Sequence, residues 1–247
     1  FRLPDRAAFV AGHSLGEYAA LAAAGAFRLD DAARLLKARG RAMQQAVPVG
    51  EGAMAALIGV ELEEARKIVA AALEARRADF AAAGLRPKEE VLAPANDNAP
   101  GQVVVSGHRG AVESAVEVAG ERGKRALMLP VSAPFHCPLM APAAEVMRDV
   151  LADVRLAPPT VPLVTNVTAE EESDPETIRR LLVEQITAMV RWREGVLWMK
   201  AQGVSELVEI GAGRVLTGLA RRIDRDLVAL AVGEPRDVEA ALKALAA

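Results

Sequence analysis

A single cysteine, three histidines and only eight aromatic residues stand among the 247 residues of this chain. Cys137 has no partner for an internal disulfide, which fits a reducing compartment and leaves stability to packing. The scarcity of rings, with 30 Lys and Arg against 33 Asp and Glu, disfavours a nucleic-acid binder, which needs a basic field and aromatic faces for bases. Long apolar runs are missing too: the longest, residues 18–27, is mostly Ala and far short of the ~20 residues that span a bilayer. Phe1 is followed by Arg2, Pro4, Asp5 and Arg6, without the charged-then-apolar layout of a signal peptide. No P-loop is present, and the His and Cys residues lack metal-ligand spacing, so neither cofactor nor metal is expected. What is there is 52% hydrophobic and 26% charged, with net charge −3, the composition of a globular protein expected in the cytoplasm. A chain this long buries roughly 70–75% of its extended surface, enough for a real core.

Residues 7–12 (AAFVAG) read as a short buried strand, and the Ala-rich run after Ser14 as a helix ending near Gly25; a strand turning straight into a helix signals an α/β class. A second helix is expected over residues 30–46, with Asp30 and Asp31 at its positive end and Pro48 beyond its last turn. From 53 to 130 the pattern becomes strand (AMAALIGV), helix (63–82), strand (VLAPAN), strand (QVVVSG), helix (111–122), strand (RALMLP). That β-α-β-β-α-β order is ferredoxin-like and suggests a small inserted subdomain over residues 51–130. Residues 76–90, charged and carrying Gly84 and Pro87, should end as an exposed connection. The α/β pattern then resumes: a helix at 143–154, a strand at 161–165, helices within 174–202, a strand at 206–210, a further helix and a strand at 228–232. The large domain therefore comprises residues 1–50 and 131–247.

The sharpest local feature is Gly12-His13-Ser14-Leu15-Gly16, a G-x-S-x-G at a strand-to-helix turn. A nucleophile elbow there wants small residues two positions either side of the serine. The competing reading is a capping box, Ser14 at the N-cap and Glu17 at N3. Gly16 argues for the elbow, because Gly in a first turn costs up to ~1 kcal/mol relative to Ala. A serine nucleophile needs a base. His13 adjoins Ser14 and should leave the turn in another direction; His108 reads as a surface residue. His136, between Pro134 and Pro138 where the chain returns to the large domain, is balanced between structural and catalytic readings when taken alone, and the elbow tips it towards catalysis. Arg39 falls in the middle of an apolar stripe formed by Ala32, Leu35, Leu36, Met43 and Ala46, with Arg34, Lys37 and Arg41 opposite. A buried guanidinium demands an anion, and periodicity alone slightly favours an internal acid over a substrate carboxylate. Gly211-Ala212-Gly213 follows a strand but lacks the third Gly of a dinucleotide loop, so it reads as a tight turn. Trp192, Trp198 and Met199 read as core. Phe135 either shapes a pocket beside His136 or packs.

At these residues the chain resembles the malonyl-CoA:acyl carrier protein transacylases of fatty acid synthesis, and more loosely the acyltransferase domains of polyketide synthases. The matching stretches are GHSLGEYAAL from Gly12, ARGRAMQQAVP around Arg39, GAMAALIG, NDNAPGQVVVSG, SAPFHCPLM around His136, VPLVTNV and EIGAGRVLTGL. The resemblance implies an α/β-hydrolase-like domain carrying a ferredoxin-like subdomain. It also implies Ser14 as the acylated nucleophile and His136 as general base and then acid. Gln185 falls where a backbone carbonyl holds the imidazole in place of a triad acid. Arg39 becomes the partner of the malonyl carboxylate, Leu15 an N–H donor to the oxyanion, and Phe135 a barrier to a methyl branch. The substrates implied are malonyl-CoA and acyl carrier protein, used in two ping-pong half-reactions by a monomer. Family members begin with a strand and a Gly-Gln-Gly-Ser-Gln loop that supplies a second oxyanion donor; Ser14 lies thirteen residues after Phe1, and no such loop occurs here. Met189 stands where the family usually has Pro. A thioesterase-like hydrolase and a non-catalytic carrier-protein-binding fragment are the alternatives. The basic pairs Lys124-Arg125 and Arg221-Arg222 are the visible candidates for docking an acidic carrier protein.

Overall fold

A single strand buried on both faces shows how the chain is layered. In the computed structural model, which describes residues 6–86 and 89–244, β2 (Gly52–Ile58) is buried on both faces. Ala53, Ala55 and Leu57 pack beneath α3 (Leu62–Ala82) and α4 (Arg109–Glu121), against Ile68, Val69, Ala72, Val112 and Ala115. Met54 and Ala56 face the other way, joining Ala95 and Val104, and Val131 and Phe135 pack on that side. This is why AMAALI reads as a continuous apolar run and not as an alternation. With β3 (Leu92–Ala99), β4 (Gln102–His108) and β5 (Arg125–Met128) it forms an antiparallel sheet in the order β3-β4-β2-β5. One face of this unit thus lies over the segment that carries His136. The contact is close: a Cβ on Gly52 would sit 2.4 Å from the Pro134 ring. Residues 1–5 and Pro87, the latter assigned above to an exposed connection, lie outside the described residues.

The rest of the chain is helix-rich. β1 (Val10–Ala11) leads into α1 (Gly16–Ala23) and α2 (Leu29–Gln45), and α5 (Ala141–Ala152) and α6 (Pro175–Glu184) pack with them around Tyr18, Leu21, Leu35, Met43, Met140, Met147, Leu151 and Leu182. A 3-10 turn at Pro138–Met140 precedes α5. β1 pairs in parallel with β6 (Leu163–Val164), which pairs antiparallel with β7 (Glu171–Glu172). α7 (Trp192–Ala201), β8 (Glu206–Ile210), α8 (Val215–Ile223), β9 (Val228–Val232) and α9 (Pro235–Ala244) follow, with β8 and β9 parallel. The class is mixed α/β.

The helices fall within a residue or two of their sequence positions. The strands at 7–12 and 161–165 are much shorter than expected, for identifiable reasons. Pro162 has no N–H to extend the ladder and contributes only its carbonyl, to Val10 N at 2.9 Å. At the other end the Gly12 carbonyl is taken by the Asn166 side chain, 2.8 Å away. β7 and α9 were not anticipated. α9 does carry a start signal, Pro235 followed by Asp237, whose carboxylate accepts from Gly233 N and Glu234 N at 3.0 and 2.9 Å. Among the described residues no helix is long and apolar enough to cross a membrane.

Candidate active site

The turn between β1 and α1 is built on Gly12. A Cβ there would stand 1.9 Å from the Gly16 carbonyl carbon, so only glycine fits, and Ser14 takes a left-handed φ of 54°. Gly16 is different: a Cβ on it would meet open space, so the expected crowding holds on one side of the serine only. Asn166, just past β6, clamps the turn. Its Oδ1 accepts from Ser14 N at 2.7 Å while its Nδ2 donates to the Gly12 carbonyl. The capping-box alternative fails on geometry. Leu15 is the N-cap of α1 with no side-chain bond, Ser14 Oγ points to other partners, and the Glu17 carboxylate turns inward.

Ser14 Oγ lies 2.7 Å from His136 Nε2, and His136 Nδ1 lies 2.9 Å from the Gln185 carbonyl oxygen. A carbonyl can only accept, so Nδ1 carries the proton and Nε2 presents its lone pair to the serine hydroxyl. The ring is 4% exposed and its backbone is held at φ 58° between Pro134 and Pro138, a strained conformation of the kind that persists where surroundings over-determine it. Burial, then the nearby Arg39 charge, push the His136 pKa down to about 3, so the imidazole is neutral, with its Nε2 lone pair free, throughout the ordinary pH range. Phe135 is half-buried and bridges the two cores on either side of this segment. Leu15 has an exposed side chain, and its N–H meets no acceptor among the described residues.

Arg39 reaches the same place from α2. It is 6% exposed, and its Nη2 donates to Ser14 Oγ at 3.0 Å and to Gln185 Oε1 at 2.9 Å. Its Nε is buried without a partner, and no described carboxylate comes within ion-pair distance. The internal ion pair slightly favoured from periodicity is therefore not formed. The acid beside it, Glu17, bonds Asn166 N and Gln185 Nε2 instead, and burial pushes its pKa up to about 8. A buried guanidinium with spare donors and no bonded anion is a ready site for a carboxylate.

The remaining candidates fall elsewhere. His13 turns away from the pair, its Nε2 2.8 Å from Asn98 Oδ1 and its ring against Trp192. His108 is half-buried, not a surface residue; its Nδ1 accepts from Val91 N at 2.8 Å because the β3–β4 pair brings the strand ends together. Residues 211–214 form a tight turn before α8, whose first amides, Leu216 N and Thr217 N, are capped by Glu209. Of the basic pairs, Lys124 bonds Glu64, Arg221 the Ala229 carbonyl and Arg222 the Pro100 carbonyl, while Arg125 lies exposed on β5. No His, Cys, Asp and Glu cluster fit for a metal occurs among the described residues. Sequence reasoning missed Asn166 altogether and considered Glu17 only as part of the disfavoured capping box; an acid in an Ala-rich first turn was the available signal.

The family described as "Acyl transferase domain" matches residues 5–225. Over 237 residues, 96% of this chain and 72% of the relative, the sequence is 47% identical to the malonyl CoA-acyl carrier protein transacylase of Escherichia coli K12. The crystal structure of an acyl-carrier-protein-S-malonyltransferase from Bartonella henselae superposes with a TM-score of 0.90 at 52% identity, covering 100% of this chain and 74% of that one. A type II polyketide acyl-carrier protein in complex with its malonyl-transacylase contains a chain 42% identical, with a TM-score of 0.86 and coverage of 96% of this chain and 72% of that one.

Proposed function

This chain belongs to the acyl transferase family, among the malonyl CoA-acyl carrier protein transacylases, and from that premise we propose how its own residues carry malonyl from malonyl-CoA to the thiol of acyl carrier protein. The observation that carries the reading is one oxygen with two neighbours: Ser14 Oγ 2.7 Å from a neutral imidazole and 3.0 Å from a buried guanidinium that lacks a carboxylate.

In the first half-reaction Ser14 Oγ attacks the thioester carbonyl while His136 Nε2 takes its proton. The Gln185 carbonyl steadies the imidazolium through Nδ1, the role a carboxylate plays in a triad. The oxyanion accepts from Leu15 N–H, and a single such donor is worth about 10²–10³ in rate. Collapse breaks the C–S bond, His136 returns the proton to the departing CoA sulfur, and malonyl stays on Ser14. In the second half-reaction the carrier's phosphopantetheine thiol gives its proton to His136 and attacks the ester. Collapse expels Ser14 Oγ, which recovers that proton. Arg39 grips the distal carboxylate with two parallel N–H bonds throughout. Phe135 stands where a methyl branch would be rejected, an effect of only ~1–3 kcal/mol.

The unit of residues 51–130, with its β-α-β-β-α-β order and β3-β4-β2-β5 sheet, is read as a ferredoxin-like subdomain. It is inserted into an α/β-hydrolase-like domain of residues 1–50 and 131–247. One chain supplies every group named above, in keeping with a monomer, and the CoA ester and carrier point to the cytoplasm as the setting. The test is transfer itself: labelled malonyl-CoA and holo carrier protein should give malonyl-carrier with parallel double-reciprocal lines. Dominant release of free malonate with carrier present would identify a hydrolase instead, and carrier binding without transfer a non-catalytic module.

A further inference from the structure

Glu17 is 2% exposed in an Ala-rich helix, in direct contact with the groups assigned above and without a role in them. Its two carboxyl oxygens accept from two different elements, one from Asn166 N and the other from Gln185 Nε2. The second bond matters because a primary amide has a donor end and an acceptor end. With Nε2 turned to Glu17 and to the Ser14 carbonyl, 3.0 Å away, Gln185 Oε1 is forced to face Arg39 Nη2 at 2.9 Å. Were the amide flipped, its NH2 would oppose the guanidinium donors and its oxygen would oppose the Ser14 carbonyl, which can only accept.

We propose that Glu17 is a positioning residue for acyl selectivity: by fixing which way the Gln185 amide points, it holds Arg39 in the orientation that receives a carboxylate beside Ser14. The inference rests on the reading that Arg39 binds the malonyl carboxylate. Burial of the acid is costly, its pKa being raised to about 8. That cost is offset by what the carboxyl group organises: one oxygen aims the selectivity arginine through Gln185, and the other anchors Asn166, whose side chain clamps the nucleophile turn.

The experiment measures kcat/KM for malonyl-CoA and for an uncharged ester, acetyl-CoA, with carrier protein as acceptor. Glu17→Gln is nearly isosteric but replaces one acceptor oxygen with a donor, so either Asn166 N or the Gln185 amide loses its partner. The malonyl-to-acetyl ratio is expected to fall by about 10-fold or more, chiefly through KM for malonyl-CoA. Gln185→Met removes the amide, and with it the bonds to Glu17, Arg39 and the Ser14 carbonyl, yet keeps the backbone carbonyl on His136 and the Asn166 clamp on the elbow; it is expected to lower the ratio likewise and covers a Glu17 variant that fails to fold. Added to Arg39→Ala, neither change should lower the ratio further. An equal fall for both esters in Glu17→Gln and Gln185→Met would reduce Glu17 to a structural residue and overturn the inference while leaving the Arg39 reading standing. If Arg39→Ala itself leaves the ratio unchanged, the reading beneath fails and the inference falls with it.

Discussion

Replacing Arg39 by Ala removes the cation that contacts Ser14 and should divide substrates by charge. The guanidinium is buried, so the rest of the chain shields it from solvent. Two charge-assisted hydrogen bonds to the malonyl carboxylate are worth ~1.5–3 kcal/mol each, or ~3–6 kcal/mol together, which is a loss of about 10²–10⁴ in kcat/KM for malonyl-CoA. Acetyl-CoA has no carboxylate to lose and should change by less than about tenfold. Steady-state transfer of each acyl group to carrier protein gives both numbers. Arg39→Lys should recover only part of the malonyl activity, since an ammonium offers a point charge in place of a planar fork. Stability should move little. Gln185 Oε1 loses a donor, but a buried charge without a bonded anion is also removed, so the two costs oppose each other. A Tm within about 4 °C of the parent is expected for a chain of this size. An equal fall for both esters would refute the assignment, as would an unchanged malonyl rate.

The buried His136 and Glu17 predict opposite pH effects. His136 has its folded pKa lowered to about 3 from 6.5, so the unfolded chain binds the extra proton between those values, and its contribution to stability is lost as pH falls from 6.5 towards 3. Glu17 is raised from 4.5 to about 8, so the folded chain binds more protons there and stability declines as pH rises through that window. Between pH 6.5 and 8 the Glu17 effect stands without the His136 one; urea midpoints should fall across it for the parent and stay flat for Glu17→Gln, and a parent that is flat as well would contradict this. Acylation of Ser14 should likewise persist below pH 6.5 wherever the fold survives, and an inflection at 6.5 in kcat/KM would mean His136 titrates as a solvated imidazole. Gly12→Ala should unfold or misplace the nucleophile turn, because its Cβ would overlap the Gly16 carbonyl, whereas Gly16→Ala should fold normally. Equal melting temperatures for the two variants would contradict that asymmetry.

Much of the site could be read from residue type and spacing, because the clue was local. Ser14 stands out through glycines at fixed offsets, and Arg39 through a charge on an otherwise apolar helical stripe. His136 becomes legible only once the serine supplies a reason for a base, since 122 residues separate them. Gln185 meets His136 through its main-chain carbonyl, which no side-chain pattern can mark, and it entered by family resemblance. Glu17 illustrates a true degeneracy: the S-x-x-E spacing of a capping box is the same spacing that sends an acid inward when the serine is engaged elsewhere. Asn166 had no local signal, because the strand before it is two residues long and its function is to touch residues 152 and 154 positions away. Helices were legible from their period and caps, whereas Pro162 and the clamp on Gly12 cut short the strands that hydrophobicity alone would have extended.

The central claim is a malonyl ester on Ser14, and mass spectrometry of the protein incubated with malonyl-CoA without carrier tests it most directly. The account expects one malonyl group per chain, mapped to the peptide bearing Ser14, discharged on adding holo carrier protein and absent from Ser14→Ala. A malonyl group carried elsewhere, or transfer to carrier that continues in Ser14→Ala, would contradict it.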